Sequence, residues 1–588
     1  MSYHPNNVSR RATVARALLV VGFLALTSQF FRAQVVRNKE YLARAEQNRF
    51  REVPLAAPRG IIYDRNGRII AENLPGYAVS LLSPTADSLR SAMRRLSNVI
   101  PITEDQVEAA VRRWRKNPTR PAVILPDAPF DVVAVLEERR VEHPNLLIQS
   151  TPKRYYPDGP AVASFVGYTG EVTERELADT TRTDYKPGQQ IGKGGLERSY
   201  EEQLRGKEGV RYVEVDARGR VVRDAGARAE VPPEAAKPLR TNIDMDLQQF
   251  VVTLLGDTLR AGVVAIDPND GAVLALHSAP TYDPNRFVGG IPADYWRELN
   301  TDPRRPLYNK VIQGRYPPAS TWKLATSAMA MEAGLVQLDD HMPQPCTGGY
   351  RYGRYFRCWL HSGHGDINLR QAIEQSCDVY FYQVGLKLGL SRMVAGGLKL
   401  KMRERSGVDL PNETQPQFPP DAQNYFNERY GTRGWVPGSV ALNLSIGQGE
   451  NAQTLINMAR FYTALATDGK AARPEIVSRN PERVQIMNLT EEQMTGLRLA
   501  MAGVVSSRGT ANSARVEGIT VAGKTGTAQN PPNPDHAWFM GFAPAEKPRI
   551  VVGVFVEYGE HGYVAARIAT KVMERYLKAA TAPVVTTE

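Results

Sequence analysis

The chain is predicted to be an α+β protein: a five-stranded antiparallel sheet with flanking helices and an inserted helical subdomain, carried on a mixed α/β segment behind one membrane-spanning helix. Three observations carry this reading. An apolar run near the N-terminus stands apart from the rest of the chain. A strand–turn–strand pattern near 262 is separated from three closely spaced strands after 519 by a long, mostly helical stretch. A proline- and alanine-rich segment at 226–237 divides two regions of different character. The 588 residues suffice for two or three cores, and 42% hydrophobic content is ordinary for a globular protein, so a polytopic membrane protein is excluded.

The elements follow in order. Residues 17–31 are apolar except for Thr27, Ser28 and Gln29, and six basic residues (Arg10, Arg11, Arg16, Arg32, Arg37, Lys39) lie in the first 39 positions with no acid. No small-x-small cleavage site follows, which argues for an uncleaved signal anchor: a cytoplasmic tail at 1–15 and a span at 16–34. Arginines on both sides leave the positive-inside rule indecisive. Residues 35–237 form the next unit. Within it, 58–71 reads as a strand, an Asn66-Gly67 turn and a second strand. Helical periodicity follows at 85–99, 103–114 and 129–139. The last unit, 238–588, begins with a hairpin at 262–276 around the turn 267–271. It ends with strands at 519–529, 536–543 and 549–557 and an amphipathic helix at 563–579. The net charge of +11 is partly the N-terminal segment. No basic helix face or nucleic-acid-binding motif accompanies it, so nucleic acid is not expected as a partner, whereas anionic lipid or glycan is.

Three short motifs occur in one order: Ser320-Thr321-Trp322-Lys323, Ser376-Cys377-Asp378 and Lys524-Thr525-Gly526. Pro317 and Pro318 stop the preceding loop, and 324–331 (LATSAMAM) reads as an apolar helix. Ser320 therefore sits near a helix start, where the N-terminal dipole favours an oxyanion. Positions i and i+3 share a helical face, so the Lys323 amine is expected beside the Ser320 hydroxyl. A serine hydroxyl needs an adjacent base, and a lysine serves as one only where burial and neighbouring positive charge favour its neutral form. A second lysine, Lys524, would supply that charge and hold an anionic group.

These motifs resemble the SxxK, SxN and KTG set of the penicillin-recognising serine acyltransferases, penicillin-binding proteins and serine β-lactamases. Residues 316–323 resemble the family's Pro-Gly-Ser-Thr-Phe-Lys segment. Ser445-Ile446-Gly447-Gln448-Gly449 is similar to its glycine-rich turn before a long helix, here at 452–466. Residues 524–529 and 537–544 resemble its active-site strand and the neighbouring strand. Residues 58–71 and Gly194-Gly195-Leu196-Glu197 resemble the pedestal motifs of class B penicillin-binding proteins. That resemblance implies that Arg59, Asp64 and Glu197 knit the pedestal to the catalytic domain.

The resemblance implies a penicillin-binding transpeptidase fold and a peptidoglycan D,D-transpeptidase that cross-links stem peptides and is a target of β-lactams. Ser320 would be the nucleophile, Lys323 its base and Ser376 a proton relay. Lys524 with the Thr525 and Thr527 hydroxyls, beside Gly526, would hold the donor's terminal carboxylate. The Ser320 and Thr527 amides would form the oxyanion hole. No cofactor is implied for catalysis. Asp378 departs from the usual asparagine; Ser-x-Asp before Val379-Tyr380-Phe381-Tyr382 resembles the elongation-type enzymes, penicillin-binding protein 2, more than the septal type. A carboxylate there could also contact a cationic acceptor amine. If the substrate is cell-wall peptide, the bulk of the chain lies outside the cytoplasm on the inner membrane. No glycosyltransferase-like segment precedes the pedestal. The implied partners are therefore a SEDS-family polymerase of the RodA type and other elongation-complex membrane proteins. A septal-type transpeptidase, a membrane-tethered serine β-lactamase or β-lactam sensor, and a non-catalytic scaffold are the alternatives. Against the β-lactamase stands the lack of a glutamate-bearing loop for deacylation. Against the scaffold stand the intact Ser320, Lys323, Ser376 and Lys524.

All three cysteines, Cys346, Cys358 and Cys377, fall in one segment, with His364 between the last two. Three thiolates and an imidazole complete a tetrahedral structural zinc site. A Cys346–Cys358 disulfide and three unrelated buried thiols are the other readings, and His361 is a weaker fourth ligand.

Overall fold

The apolar run lies within a helix longer than the run itself, Pro5–Phe31, 27 residues, followed by a wider turn at Arg32–Val36. This is a computed structural model of the chain, described over residues 5–42, 50–116, 118, 120–179, 185–216, 221–223, 229–477 and 480–579. At ~1.5 Å per residue such a helix reaches about 40 Å, more than the ~30 Å of a bilayer's hydrocarbon core. Its described side chains are exposed, as suits a helix whose apolar surface has no protein partner. Residues 1–4 of the expected tail and 226–228 of the expected junction lie outside the described residues.

The pedestal is built on one long strand, Ile69–Leu81. It pairs antiparallel with Ile62–Tyr63 across the Asn66-Gly67 turn, and with Ala122–Leu125 and Leu146–Tyr155 further along. Gly67 takes φ +91°, which explains a glycine at that point of the turn. The three expected helices are present at Ala86–Leu96, Glu104–Lys116 and Phe130–Glu138. The first begins at a reciprocal cap between Thr85 and Ser88. Helical periodicity does not disclose the strands, however. Leu146–Tyr155 carries a proline and an irregular burial pattern, and the pairing of Phe50–Leu55 with Gly209–Val215 joins segments remote in sequence.

The C-terminal sheet runs Val273–Ala279, Ala261–Ile266, Ile550–Val556, His536–Ala543, Ala522–Ala528, antiparallel throughout. All residues of its first four strands are buried, because both faces are covered. Met245–Leu255 and Gly562–Ala579 pack against each other and on one face, and Leu455–Ala466 lies on the other. The helical subdomain enters between the second and third strands in sequence, as expected. Leu455–Ala466 starts three residues later than its periodicity suggests. Ala452 and Gln453 are taken by bridges to Gln417 and Tyr316, and Thr454 caps the helix through Asn457 N.

Asp64 joins the two halves: Oδ1 accepts from Asn66 N and Arg68 N, both at 2.8 Å, and Oδ2 accepts from Met245 N at 3.3 Å, at the start of Met245–Leu255. Leu239–Arg240 adds a parallel strand beside Ile62–Tyr63. Arg59 and Glu197 correct the expectation from the resemblance, since their bonds stay inside the pedestal. Glu197, fully buried, accepts from Arg59 Nη2 at 2.7 Å and Arg154 Nε at 2.6 Å. Burial pushes its carboxyl up, but the Arg154 and Arg59 charges outweigh burial and hold it below the ordinary value.

Candidate active site

Ser320 lies in a tight 3₁₀ turn, Ala319–Trp322, that leads into the helix Lys323–Glu332. The first nine residues of that helix are buried, which accounts for its apolar sequence on every side. The turn is held from several directions. Trp322 is fully buried and packs at 5.4 Å from the Phe418 ring. The Thr321 carbonyl accepts from Tyr462 Oη at 2.9 Å. Ala319 N donates to the Gly447 carbonyl at 3.0 Å. A Cβ on Gly447 would stand 2.3 Å from the Ala319 oxygen, so the glycine-rich turn must lack one to back the Ser320 turn.

Lys323 is fully buried. Its Nζ donates to Asp378 Oδ1 at 2.7 Å, to the Ser376 carbonyl at 2.8 Å and to Ser376 Oγ at 3.2 Å. The amine thus turns toward the second motif. A bond to Ser320 Oγ is not among those made by the described residues, although three-residue spacing in a 3₁₀ turn places both side chains on one edge. Two non-glycine residues here are left-handed, Ala319 at φ +49° and Ser376 at φ +57°. Each costs ~1–3 kcal/mol that the surrounding packing must offset, and such strain collects at functional sites.

The third motif occupies the edge strand Ala522–Ala528. A Cβ on Gly526 would come 3.1 Å from the Pro318 oxygen and 3.2 Å from Thr321 Cγ2, which shows how closely this strand lies on the turn that carries Ser320. Lys524 is fully buried, its Nζ donating to the Thr525 carbonyl at 3.2 Å. Burial pushes Lys524 well below the ordinary lysine value; the Lys323 charge adds to this and Asp378 opposes it. Thr525 is buried and shares a 2.7 Å hydroxyl bond with Thr510. Thr527 is the exposed member of this group, and its Oγ1 accepts from Gly562 N at 3.3 Å.

The cysteines are free thiols, all buried. Cys346, Cys358, His364 and Cys377 place their ligand atoms within 4.8 Å of one another, and His361 lies outside this group. His364 Nδ1 is 3.5 Å from Cys346 Sγ and 3.6 Å from Cys358 Sγ. Zinc–sulfur bonds of ~2.3 Å and zinc–nitrogen bonds of ~2.0 Å at tetrahedral angles give S···N edges of about 3.5 Å, so the donor set fits that ion in kind and in spacing. The Cys377 hydrogen bond pulls the Cys358 thiol down and pushes Cys377 up.

Sequence reasoning missed Trp359. Its amide donates to Asp378 Oδ2 at 3.1 Å, and its indole Nε1 donates to the Gln375 and Ser376 carbonyls, each at 3.1 Å. Its position directly after Cys358 was the one available signal. Both Asp378 oxygens are engaged, Oδ1 by Lys323 and Oδ2 by the Trp359 amide.

The chain is similar to known proteins along most of its length. Residues 261–574 match the family model for the penicillin binding protein transpeptidase domain, and 54–240 match that for the penicillin-binding protein dimerisation domain. The chain is 31% identical to peptidoglycan D,D-transpeptidase MrdA of Acinetobacter baumannii, over 96% of this chain and 87% of that protein. Identity to MrdA of Escherichia coli is also 31%, over 97% and 94% of the two chains. Among solved structures, penicillin-binding protein 2 of Helicobacter pylori in complex with MreC superposes with a TM-score of 0.79 at 28% identity, over 90% of this chain and 99% of that one. Pseudomonas aeruginosa PBP2 in complex with WCK 5153 gives a TM-score of 0.68 at 30% identity, over 90% and 96%.

Proposed function

The chain belongs to the class B penicillin-binding proteins, in the penicillin-binding protein 2 branch of elongation-type peptidoglycan D,D-transpeptidases, and on that premise we propose how its residues divide the reaction. Ser320 Oγ attacks the carbonyl carbon of the penultimate D-alanine of a donor stem peptide, and its proton passes to Lys323 Nζ. The C–N bond breaks, the departing D-alanine amine takes a proton through Ser376 Oγ, and an ester to Ser320 remains. The amine of a second stem peptide then attacks that ester, releases its proton back along Ser376 and Lys323, and leaves a cross-link and free Ser320. The Ser320 and Thr527 amides receive the oxyanion, where losing one donor costs ~10²–10³ in rate. Lys524, with the Thr525 and Thr527 hydroxyls beside Gly526, receives the donor carboxylate. β-Lactams enter by the same acylation step.

The observation that carries this reading is the convergence of Lys323 Nζ on Ser376 Oγ and Asp378, one turn of helix from Ser320. A donor thioester offered with an amine acceptor tests it. The intact chain should form the amide product and Ser320→Ala should form none; product from the variant would refute the assignment.

Three further statements belong to the same proposal. Cys346, Cys358, His364 and Cys377 would hold a zinc ion, which supplies folding stability and takes no part in the reaction. Purified protein should contain about one zinc per chain by elemental analysis, and chelation should lower Tm; metal-free protein with an unchanged Tm would refute this. The pedestal and catalytic domain lie on the outer side of the inner membrane, because stem peptides are there, with the Pro5–Phe31 helix as anchor. The pedestal and anchor meet the elongation-complex partners, a protein like MreC and a SEDS-family polymerase of the RodA type. The MreC complex of the Helicobacter pylori relative supports the first, and family resemblance alone supports the second.

A further inference from the structure

Two of the clustered cysteines are each followed by a residue that reaches toward the catalytic lysine. Cys358 precedes Trp359, and Cys377 precedes Asp378. The two following residues bond to each other, Trp359 N to Asp378 Oδ2 at 3.1 Å, while Asp378 Oδ1 takes Lys323 Nζ at 2.7 Å. The Trp359 indole N–H is shared by the Gln375 and Ser376 carbonyls, and the Ser376 carbonyl also accepts from Lys323 at 2.8 Å. The Trp359 ring meets that of His364, itself a cluster member, at 5.4 Å and 61°. Trp359 is 55% exposed, so apolar burial is a small part of what fixes it, and its three hydrogen bonds do most of that.

We propose that Trp359 and Asp378 form a clamp through which the thiol–imidazole cluster positions Lys323, both being positioning residues and neither a catalytic one. The cluster holds two loop segments together; the next residue of each closes on the other and on the lysine. This gives a reason for the departure at 378. A carboxylate accepts from Lys323 and from the Trp359 amide on separate oxygens, whereas an asparagine would set its NH₂ group against one of those two donors. The left-handed backbone of Ser376, two residues before Asp378 and bonded through its carbonyl to Trp359, is strain that such a clamp would hold in place.

The inference rests on Lys323 serving as the base for Ser320. Its test is the acylation of the detergent-solubilised full chain by benzylpenicillin. Intact mass followed over time and drug concentration separates the acylation rate constant from the non-covalent Kd, and Tm is measured alongside. Trp359→Phe keeps an aromatic ring and the backbone N–H and removes the indole donor together with its five-membered ring. It should lower the rate constant roughly 10–100-fold, as loss of an orienting partner typically does, with Kd within about twofold and Tm little moved. Asp378→Asn should do the same. The double variant should be no slower than the slower single, because both act along one path. A role in folding alone would lower Tm and leave the rate constant of folded molecules unchanged. The clamp is overturned if Trp359→Phe acylates at the unaltered rate or if the two losses multiply. Cys346→Ser, where it folds, should slow acylation too; a lowered Tm with a full rate would sever the cluster from the clamp. If the unaltered chain forms no adduct at all, the assignment of Ser320 fails, a result distinct from each of these.

Discussion

Lys524 places a fully buried amine on the edge strand Ala522–Ala528, where burial and the nearby Lys323 push it well below its ordinary value of 10.5. Between that lowered value and 10.5 the unfolded chain holds a proton that the folded chain does not. Stability therefore rises with pH across this window and is penalised at its lower end. Lys524→Met removes the buried amine. Calorimetry at neutral pH should show the variant more stable, by roughly 0.5–2 kcal/mol, with the advantage shrinking as pH approaches 10.5. Penicillin acylation should fall by at least ~10²-fold, the cost typical of losing one electrostatic contact to the transition state. A variant less stable at neutral pH would contradict this account of Lys524. The three motifs that carry Ser320, Lys323, Ser376 and Lys524 were readable in the sequence, because order and spacing of short motifs survive without coordinates. Trp359 was not: an aromatic residue in a loop has no periodicity, and its partner Asp378 is distant in sequence.

The elements differ in the same way. Helices such as Ala86–Leu96 and Glu491–Val505 announce themselves by local caps, Thr85 with Ser88 and Thr490 with Gln493. The sheet strands Ala261–Ile266 and Ile550–Val556 are short, wholly buried apolar runs, and their sequences are equally plain. The pedestal strand Leu146–Tyr155 is neither, since what makes it a strand is its ten-pair register with Glu72 to Leu81, a long-range property. That strand ends next to the buried charge group, with Arg154 and Arg59 on Glu197. Glu197→Ala would leave the buried Arg154 guanidinium without its carboxylate and Arg59 with Glu201 alone, at a cost of roughly 3–5 kcal/mol. Calorimetry should show a pedestal transition at lower temperature, while the acylation rate of the folded transpeptidase region stays within about twofold. Loss of acylation in step with the pedestal would instead show that the two units fold as one.

On the scale of the whole molecule, the pedestal and the catalytic sheet share one continuous buried core that specific hydrogen bonds cross. Asp64 is the clearest, a pedestal carboxylate accepting from the first turn of the helix Met245–Leu255. The fold class and the order of the units were legible from composition shifts and strand spacing. The seam was not, because Asp64 and Met245 meet only in three dimensions. The chemistry sits where the inserted helical subdomain meets the edge strand Ala522–Ala528, so Ser320 and Ser376 come from one side of the cleft and Lys524 from the other. Everything assigned to these residues depends on Ser320 being acylated. The direct measurement is intact mass of the full chain with excess penicillin beside Ser320→Ala. A single adduct that lasts many minutes and is absent in the variant is the expected result. Rapid drug hydrolysis without a lasting adduct, or an adduct that survives in Ser320→Ala, would contradict it.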